Sequence, residues 1–177
     1  MKTTRIRLLN IAVSFAIAYM TAGVWPLRAQ EDCKALSKAL LDAFGKFDSN
    51  NARVYSTSKV GGQTITSELI YAAGSMYTNI NGTWMKMGLI KDAEQQLQQL
   101  MHGATAKDTC RHVKDEPVNG EMAALYSSHS VTPTGELDMR IWISKAKGLV
   151  LRQDLEGGKF GTAISSRYEY GNVKAPL

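Results

Sequence analysis

The chain is poor in the residues from which catalytic and metal sites are usually built. Its 177 residues include only 2 cysteines, 3 histidines and 4 prolines. No Cys-x-x-Cys spacing occurs, and His102, His112 and His129 form no His-x-x-x-His or Glu-x-x-His unit of the kind that binds zinc. We therefore expect no metal site and no cofactor.

Motifs for nucleophilic or nucleotide chemistry are also missing. The Gly-x-Ser-x-Gly elbow of serine hydrolases does not occur. Residues 157–162 contain the residue types of a phosphate-binding loop, but their spacing differs and they separate two strand-like segments, which favours a hairpin. Asp115 and Glu116 are interpreted as a solvated strand end and not as an acid/base pair. The sequence thus predicts a protein that is not an enzyme.

An excess of one charge is confined to the N-terminal segment. The chain has 21 basic and 16 acidic residues, but Lys2, Arg5, Arg7 and Arg28 all lie in the first 29 residues. In the remainder the two signs nearly balance and are mixed along the chain. No basic stripe remains, so nucleic acid is not an expected partner.

The first 29 residues have the pattern of a cleavable secretion signal. A basic start is followed by an apolar run from Leu8 to Trp25 and by a small residue, Ala29. A retained membrane anchor is the alternative, because the run approaches the ~20 residues that span a bilayer. We expect residues 30–177 to form a single exported domain.

Cys33 and Cys110 are the only cysteines. In an oxidising compartment, an even pair in a small exported domain most often forms a disulfide. A metal-binding pair or a redox pair is the alternative. The disulfide would join the N-terminal helix to the middle of the chain.

Two segments have helical periodicity. Apolar residues recur at helical spacing from Ala35 to Phe47, with Asp32 as a possible N-cap. A second, thinly apolar helix is predicted for residues 92–101, with Gly103 as its stop. Leu36, Leu97 and Met101 would lie on the covering faces of these helices.

The rest of the chain alternates with a period of two, which indicates strands. The strongest local signal is Asn81-Gly82, a residue pair suited to a two-residue type I′ hairpin. This turn pairs Ile80 with Thr83, so Thr78 faces Met85 and Met76 faces Met87. Met76, Ile80, Met85 and Met87 should then share one face. The predicted strands are 54–59, 64–72, 76–80, 83–87, 111–115, 122–131 and three strands after residue 138.

This order of hairpins and two substantial helices indicates an α+β fold with an antiparallel sheet and helices packed on one side. Within it, Ile65, Leu69 and Tyr71 share one strand face, opposite Thr64, Thr66 and Glu68.

The final quarter of the chain carries the clearest family pattern. Trp142-Ile143 is followed by a turn, then by Leu149-Val150-Leu151-Arg152, and then by the segment Tyr168-Glu169-Tyr170-Gly171-Asn172-Val173. This order resembles the end of the LolA-like proteins, the periplasmic lipoprotein-carrier superfamily. The resemblance implies a strongly curved sheet, an incomplete barrel, whose concave face is covered by the N-terminal and mid-chain helices.

The same resemblance implies a carrier in the periplasm that holds the acyl chains of a lipid or lipoprotein in an apolar cavity. Methionine is flexible and polarisable, which suits irregular acyl chains, although filling an ordinary core is its commoner use. The expected partners are acyl chains, with an envelope protein as a second candidate, and the carrier itself is expected to be a monomer. A protein-interaction or sensing module on the same scaffold is the alternative function. The candidate ligand-binding residues are Leu69, Tyr71, Met76, Ile80, Met85, Met87, Met122, Tyr126, Met139, Ile141, Ile143 and Leu151 on strands, with Leu40 and Phe44 on the N-terminal helix.

Overall fold

A computed structural model describes residues 25–47, 49–92, 95, 108–132, 135–158 and 161–177. One long helix, α1 (Trp25–Phe44), precedes nine strands. The strands are β1 (Ala52–Val60), β2 (Gln63–Ala72), β3 (Ser75–Ile80), β4 (Thr83–Leu89), β5 (Thr109–Val118), β6 (Glu121–Thr132), β7 (Gly135–Ser144), β8 (Val150–Gly157) and β9 (Thr162–Tyr170).

The strands form one antiparallel sheet in the order β4-β3-β2-β1-β9-β8-β7-β6-β5. Two meanders, β1 to β4 and β5 to β9, are joined by the pairing of β1 with β9. In the described residues β4 and β5 are the two edges, so the sheet is open. The expected α+β arrangement of an antiparallel sheet with helix on one side is therefore confirmed in its broad form.

Helix α1 begins earlier than the sequence predicts. Asp32 lies inside the helix and is not its N-cap, because the helix starts at Trp25. Pro26 is compatible with a first helical turn, and Leu, Arg, Ala, Gln and Glu, all strong helix formers, follow it. The helix also ends earlier, at Phe44, and Phe47 lies in the following turn, where its N–H donates to the Phe44 carbonyl at 3.0 Å.

Residues 90–92 and 95 are helical. The remainder of the helix predicted for residues 92–101, including Leu97 and Met101, lies outside the described residues. Among the described residues, no helix combines the length and the hydropathy that crossing a bilayer requires.

The Asn81-Gly82 hairpin has the predicted register. Asn81 and Gly82 both have positive φ, at 52° and 84°, as a type I′ turn demands. Ile80 pairs with Thr83 and Thr78 with Met85. The next predicted pair is wrong, because a bulge between Met76 and Tyr77 places Gly88, and not Met87, opposite Met76.

Cys33 and Cys110 form the predicted disulfide, with their Cα atoms 4.8 Å apart. The bond joins the middle of α1 to the beginning of the edge strand β5. It thereby fixes the helix to the end of the sheet that is furthest from β4.

The last three strands, β7 to β9, also follow the prediction. The pairing of β9 ends at Tyr170. Beyond it, Val173 and Ala175 pack against Ile70 and Tyr77 on the face of the sheet that α1 does not cover. We call the side that carries α1 the helix face and the other side the opposite face.

Candidate functional site

Helix α1 covers only part of the helix face. Its buried residues Leu36, Leu40 and Ala43 pack against Ile141 and Ile143 of β7. Since these helix positions repeat every three or four residues, they form the single apolar stripe that docks a helix on a sheet. The region beneath the helix is therefore closely filled by side chains.

An aromatic cluster fixes the end of α1 to the sheet. Phe47 is completely buried. Its ring stacks on Tyr71 with centroids 4.6 Å apart and lies 6.3 Å from Tyr168 and 6.1 Å from Tyr170, while Phe44 meets it edge-on at 5.0 Å. Burial raises the pKa of the phenols of Tyr168 and Tyr170, so both stay protonated at neutral pH. Each hydroxyl can therefore donate a hydrogen bond.

Charge is completely segregated between the two faces in every strand except β5. Strand pairing places all charged residues of those strands on the opposite face. They are Arg53, Lys59, Glu68, Lys86, Glu121, Glu136, Asp138, Arg140, Arg152, Asp154, Glu156, Arg167 and Glu169. The helix face of those strands consists of apolar, hydroxyl, thioether and amide side chains.

The edge strand β5 is the exception to this segregation, because two of its titratable residues lie on the helix face. His112 and Asp115 pair with Tyr126 and Ala124, which puts them on the helix face. His112 Nε2 lies 2.9 Å from Asp115 Oδ1, and Lys145 also bonds this carboxylate. The hydrogen bond from Lys145, and to a smaller extent the one with His112, lowers the pKa of Asp115. These charges are thus held together at the sheet margin.

The outer part of the helix face, remote from α1, exposes apolar side chains. Ile65 is 55% exposed, Ile80 50% and Met85 43%. They lie on the adjacent strands β2, β3 and β4. Leu69, Thr78 and Met85 are paired across these strands and therefore share the helix face. Ile65 is four residues from Leu69 and Ile80 is two residues from Thr78, so alternation puts both on the same face. Exposed apolar side chains grouped on one face mark a binding site more often than isolated ones do.

The structure brings most of the predicted ligand-binding residues together. Those that pack in one cluster on the helix face are Leu40, Phe44, Leu69, Tyr71, Met76, Tyr126, Met139, Ile141 and Ile143. Ile80 and Met85 lie further out on the same face and are exposed.

Three predicted residues lie apart from this cluster. Leu151 packs with Trp142, Leu125 and Ala123 on the opposite face, because a bulge beside Trp142 shifts the alternation of β8. Met87, at the bulge of the edge strand β4, is 62% exposed, and Met122, at the end of β6 beside the turn, is 51% exposed. The prediction that Leu151 shares the surface of Ile141 and Ile143 is wrong.

Sequence reasoning missed a set of uncharged polar residues in the middle of the helix face. Ser56 pairs with both Ser67 and Ser166, and Ser166 pairs with Gln153. These four residues, which we call the polar row, cross four neighbouring strands. Serine alternates with charged or larger residues in β1, and this pattern indicates a polar position on one strand face. The pairing of β1 with β9 is needed as well, because it joins Ser67 and Ser56 to Ser166 and Gln153 in one row.

The opposite face carries a charged groove of about 500 Å³. Its walls include Arg111, His129, Asp138, Arg140 and Glu156. His129 Nδ1 lies 3.0 Å from Asp138 Oδ1, and Arg140 lies 3.4 Å from Glu156. These exposed ion pairs add little to stability, so the groove is a polar surface and not a structural core.

Asp154 anchors the strands beneath this groove. It is buried, and it accepts hydrogen bonds from Arg152 at 2.7 Å and from Ser165 Oγ at 2.7 Å. The Arg152 guanidinium also lies 4.7 Å from the centroid of the Trp142 ring. The bond from Ser165 ties this carboxylate of β8 to the neighbouring strand β9.

Comparison with known proteins identifies the fold. No protein-family model matches the chain, and no curated protein sequence matches it. The crystal structure of the lipoprotein LppX from Mycobacterium tuberculosis superposes with a TM-score of 0.52 at 11% sequence identity, over 80% of this chain and 98% of LppX. The two proteins share a fold. This agrees with the LolA-like architecture that the end of the sequence implies.

Two further structures are similar to a lesser degree. LprF from Mycobacterium bovis has a TM-score of 0.44 at 10% identity, over 80% of this chain and 95% of LprF. MucB of Pseudomonas aeruginosa, in its complex with MucA, has a TM-score of 0.47 at 13% identity, over 79% of this chain and 58% of that chain.

Proposed function

We propose that this protein is a non-catalytic binding protein of the cell envelope that holds the acyl chains of a lipid or lipoprotein on its helix face. The observation that carries the proposal is the segregation of charge, which leaves the helix face uncharged in every strand except β5. A fold shared with a lipoprotein supports it. So do the exposed side chains of Ile65, Ile80 and Met85.

The physical gain comes from removing the chain and these side chains from water together. Burial of a methylene group contributes about 0.8 kcal/mol. An uncharged face loses no ion hydration when the chain covers it, whereas a face with a lone charge would lose several kcal/mol. The helix face is therefore suited to an acyl chain, and the opposite face is not.

An envelope location is part of the proposal. The basic and then apolar pattern of residues 1–29 supports export with a cleaved signal. The disulfide between Cys33 and Cys110 supports an oxidising compartment such as the periplasm.

Lipid identification tests the proposal directly. The protein is purified from its native host without detergent, and its organic extract is examined by mass spectrometry. We expect one or a few acyl lipids in near-stoichiometric amount. Protein that carries no lipid and also fails to bind a fluorescent acyl probe would contradict the proposal.

A charge placed on the exposed helix face should abolish binding without unfolding the protein. Ile65→Asp changes a residue that is 55% exposed, so the fold should tolerate it. It would oblige an acyl chain to cover a carboxylate, and we expect the affinity for a fluorescent acyl probe to fall at least tenfold, or about 1.4 kcal/mol. Fluorescence titration measures this change.

Val131→Asp is the matched control. Val131 is 47% exposed and pairs with Glu136 on the opposite face. Its probe affinity should equal that of the unchanged protein. Equal losses in both variants, or no loss in Ile65→Asp, would show that acyl chains do not bind the helix face.

A second candidate function is the docking of an envelope protein through the charged groove. The groove favours it because its walls carry charges of both signs, such as Arg140 and Asp138, which suit a polar polypeptide. Charge reversal in Arg140→Glu would then abolish function in the host while acyl-probe binding stayed normal. The Ile65→Asp variant gives the reverse pattern if lipid binding is the function.

A further inference from the structure

The polar row lies between two apolar rows of the helix face. On the α1 side, Val54 pairs with Leu69 and with Tyr168. On the outer side, Met139 pairs with Leu155 and Leu155 with Ile164. Ser58 pairs with both Ile164 and Ile65, so one serine interrupts this otherwise apolar row. Ser56, Ser67, Ser166 and Gln153 are all partly exposed. Adjacent strands are about 4.8 Å apart, so the row extends over roughly 15 Å.

The hydrogen bonds within the row leave donors available. Ser56 Oγ and Ser166 Oγ lie 2.8 Å apart, so one hydroxyl hydrogen is used between them and the other can point elsewhere. Gln153 Oε1 accepts the hydrogen bond of the Tyr168 hydroxyl at 3.2 Å, which leaves its amide nitrogen as a donor.

The amide of Gln153 has a weak partner. Its nitrogen lies 3.6 Å from Met139 Sδ, and a thioether is a poor acceptor compared with a carbonyl oxygen. A stronger acceptor entering from the helix face would therefore be favoured over this contact. The serine pair and Gln153 present hydrogen-bond donors side by side, because Ser166 and Gln153 are directly paired.

We propose that the polar row binds the ester carbonyls of an uncharged acyl lipid, whose chains lie along the outer apolar row. This inference rests on the proposed function and specifies the class of ligand. An ester carbonyl accepts hydrogen bonds without carrying a charge, which matches donors on β1, β2, β8 and β9, whose described residues place no charge on the helix face. The chains would follow Ile65, Ile164, Leu155 and Met139.

Anionic groups are disfavoured at the same position. A phosphate or ionised carboxylate in contact with the polar row would lose hydration without gaining a cationic partner. On the strands of this face, the described groups that carry charge near neutral pH, His112 and Asp115, lie at the sheet edge, with Ile141 and Tyr126 between the polar row and His112. Both are already engaged with each other, and Asp115 also with Lys145.

The test compares two probes that differ only in the carbonyl. A long-chain monoacylglycerol and its alkyl-ether analogue of equal chain length displace a fluorescent apolar dye from the full protein. One or two hydrogen bonds should give the ester about a five- to tenfold higher affinity. The ionised fatty acid of the same chain length should bind more weakly than the ester.

Substitutions in the polar row test whether these residues cause the preference for the ester over the ether. Ser56→Ala/Ser166→Ala removes both members of one hydrogen-bonded pair, a change that leaves no buried partner unpaired. We expect this double variant to lose most of the preference for the ester while binding the ether as before. Thr57→Ala is the control, because Thr57 is exposed and pairs with Thr66 and Ser165 on the opposite face.

Each outcome decides between the two proposals. Equal binding of ester and ether by the unchanged protein overturns the polar-row inference and leaves acyl binding intact. Retention of the full preference in both Ser56→Ala/Ser166→Ala and Gln153→Leu overturns it as well. Failure of the unchanged protein to bind either probe overturns the proposed function together with this inference.

Discussion

Removal of the disulfide, in the variant Cys33→Ala/Cys110→Ala, is expected to lower the free energy of unfolding by about 4 kcal/mol. The two cysteines are 77 residues apart in sequence, so the bond greatly reduces the conformations open to the unfolded chain. It also holds α1 against β5. Urea unfolding followed by circular dichroism measures the change.

The unchanged protein in strong reductant is the control for this variant. It should unfold at nearly the same urea concentration as the double variant, since both lack the same cross-link. A loss below about 1 kcal/mol in both would contradict the stabilising role assigned to the bond.

Truncation of the central aromatic residue, Phe47→Ala, is expected to destabilise the protein by about 3–5 kcal/mol. Phe47 is completely buried and its ring contacts those of Phe44, Tyr71, Tyr168 and Tyr170. The substitution leaves a cavity where α1 meets β1, β2 and β9. Thermal or urea unfolding gives the magnitude.

Two further variants test whether the lost stability comes from the cavity at Phe47. Phe47→Leu keeps most of the volume and should recover a large part of the loss. Phe44→Ala truncates a ring that is only partly buried and should cost less than Phe47→Ala. If Phe44→Ala proved the more damaging change, the assignment of Phe47 as the centre of this cluster would be wrong.

These two predictions concern how α1 is attached, and they bear on the proposed function. The disulfide fixes the middle of the helix, and the Phe47 cluster fixes the turn that follows its end. Between them, Leu36, Leu40 and Ala43 fill the inner part of the helix face. The outer part, with Ile65, Ile80 and Met85, is left as accessible apolar surface.

Local chemistry explains which parts of the fold could be predicted. The Asn81-Gly82 turn fixes its hairpin because two successive positive φ angles are a property of those residues themselves. The alternation in β7 places Met139, Ile141 and Ile143 on one face for the same reason of local geometry. The helical spacing of Leu36, Leu40 and Ala43 likewise identified the buried stripe of α1.

Bulges explain the residues that were misplaced. Met87 is the extra residue of the bulge opposite Met76 and Tyr77, so it leaves the predicted pairing. Leu151 is the extra residue of the bulge opposite Trp142 and Ile143, and it packs on the opposite face. A bulge depends on the packing and twist of neighbouring strands, so a strict period of two does not reveal it.

The sequence by itself determined the strand periodicity, the Asn81-Gly82 turn, the helix stripe and the pair of cysteines, because each depends on residues close together or on a single possible pairing. Only the tertiary structure decided that β1 pairs with β9, since that contact joins residues more than a hundred positions apart, such as Ser56 and Ser166. That pairing assembles the polar row and makes one continuous helix face, uncharged in every strand except β5, from two separate meanders. The candidate site therefore depends on long-range pairing that no local pattern encodes.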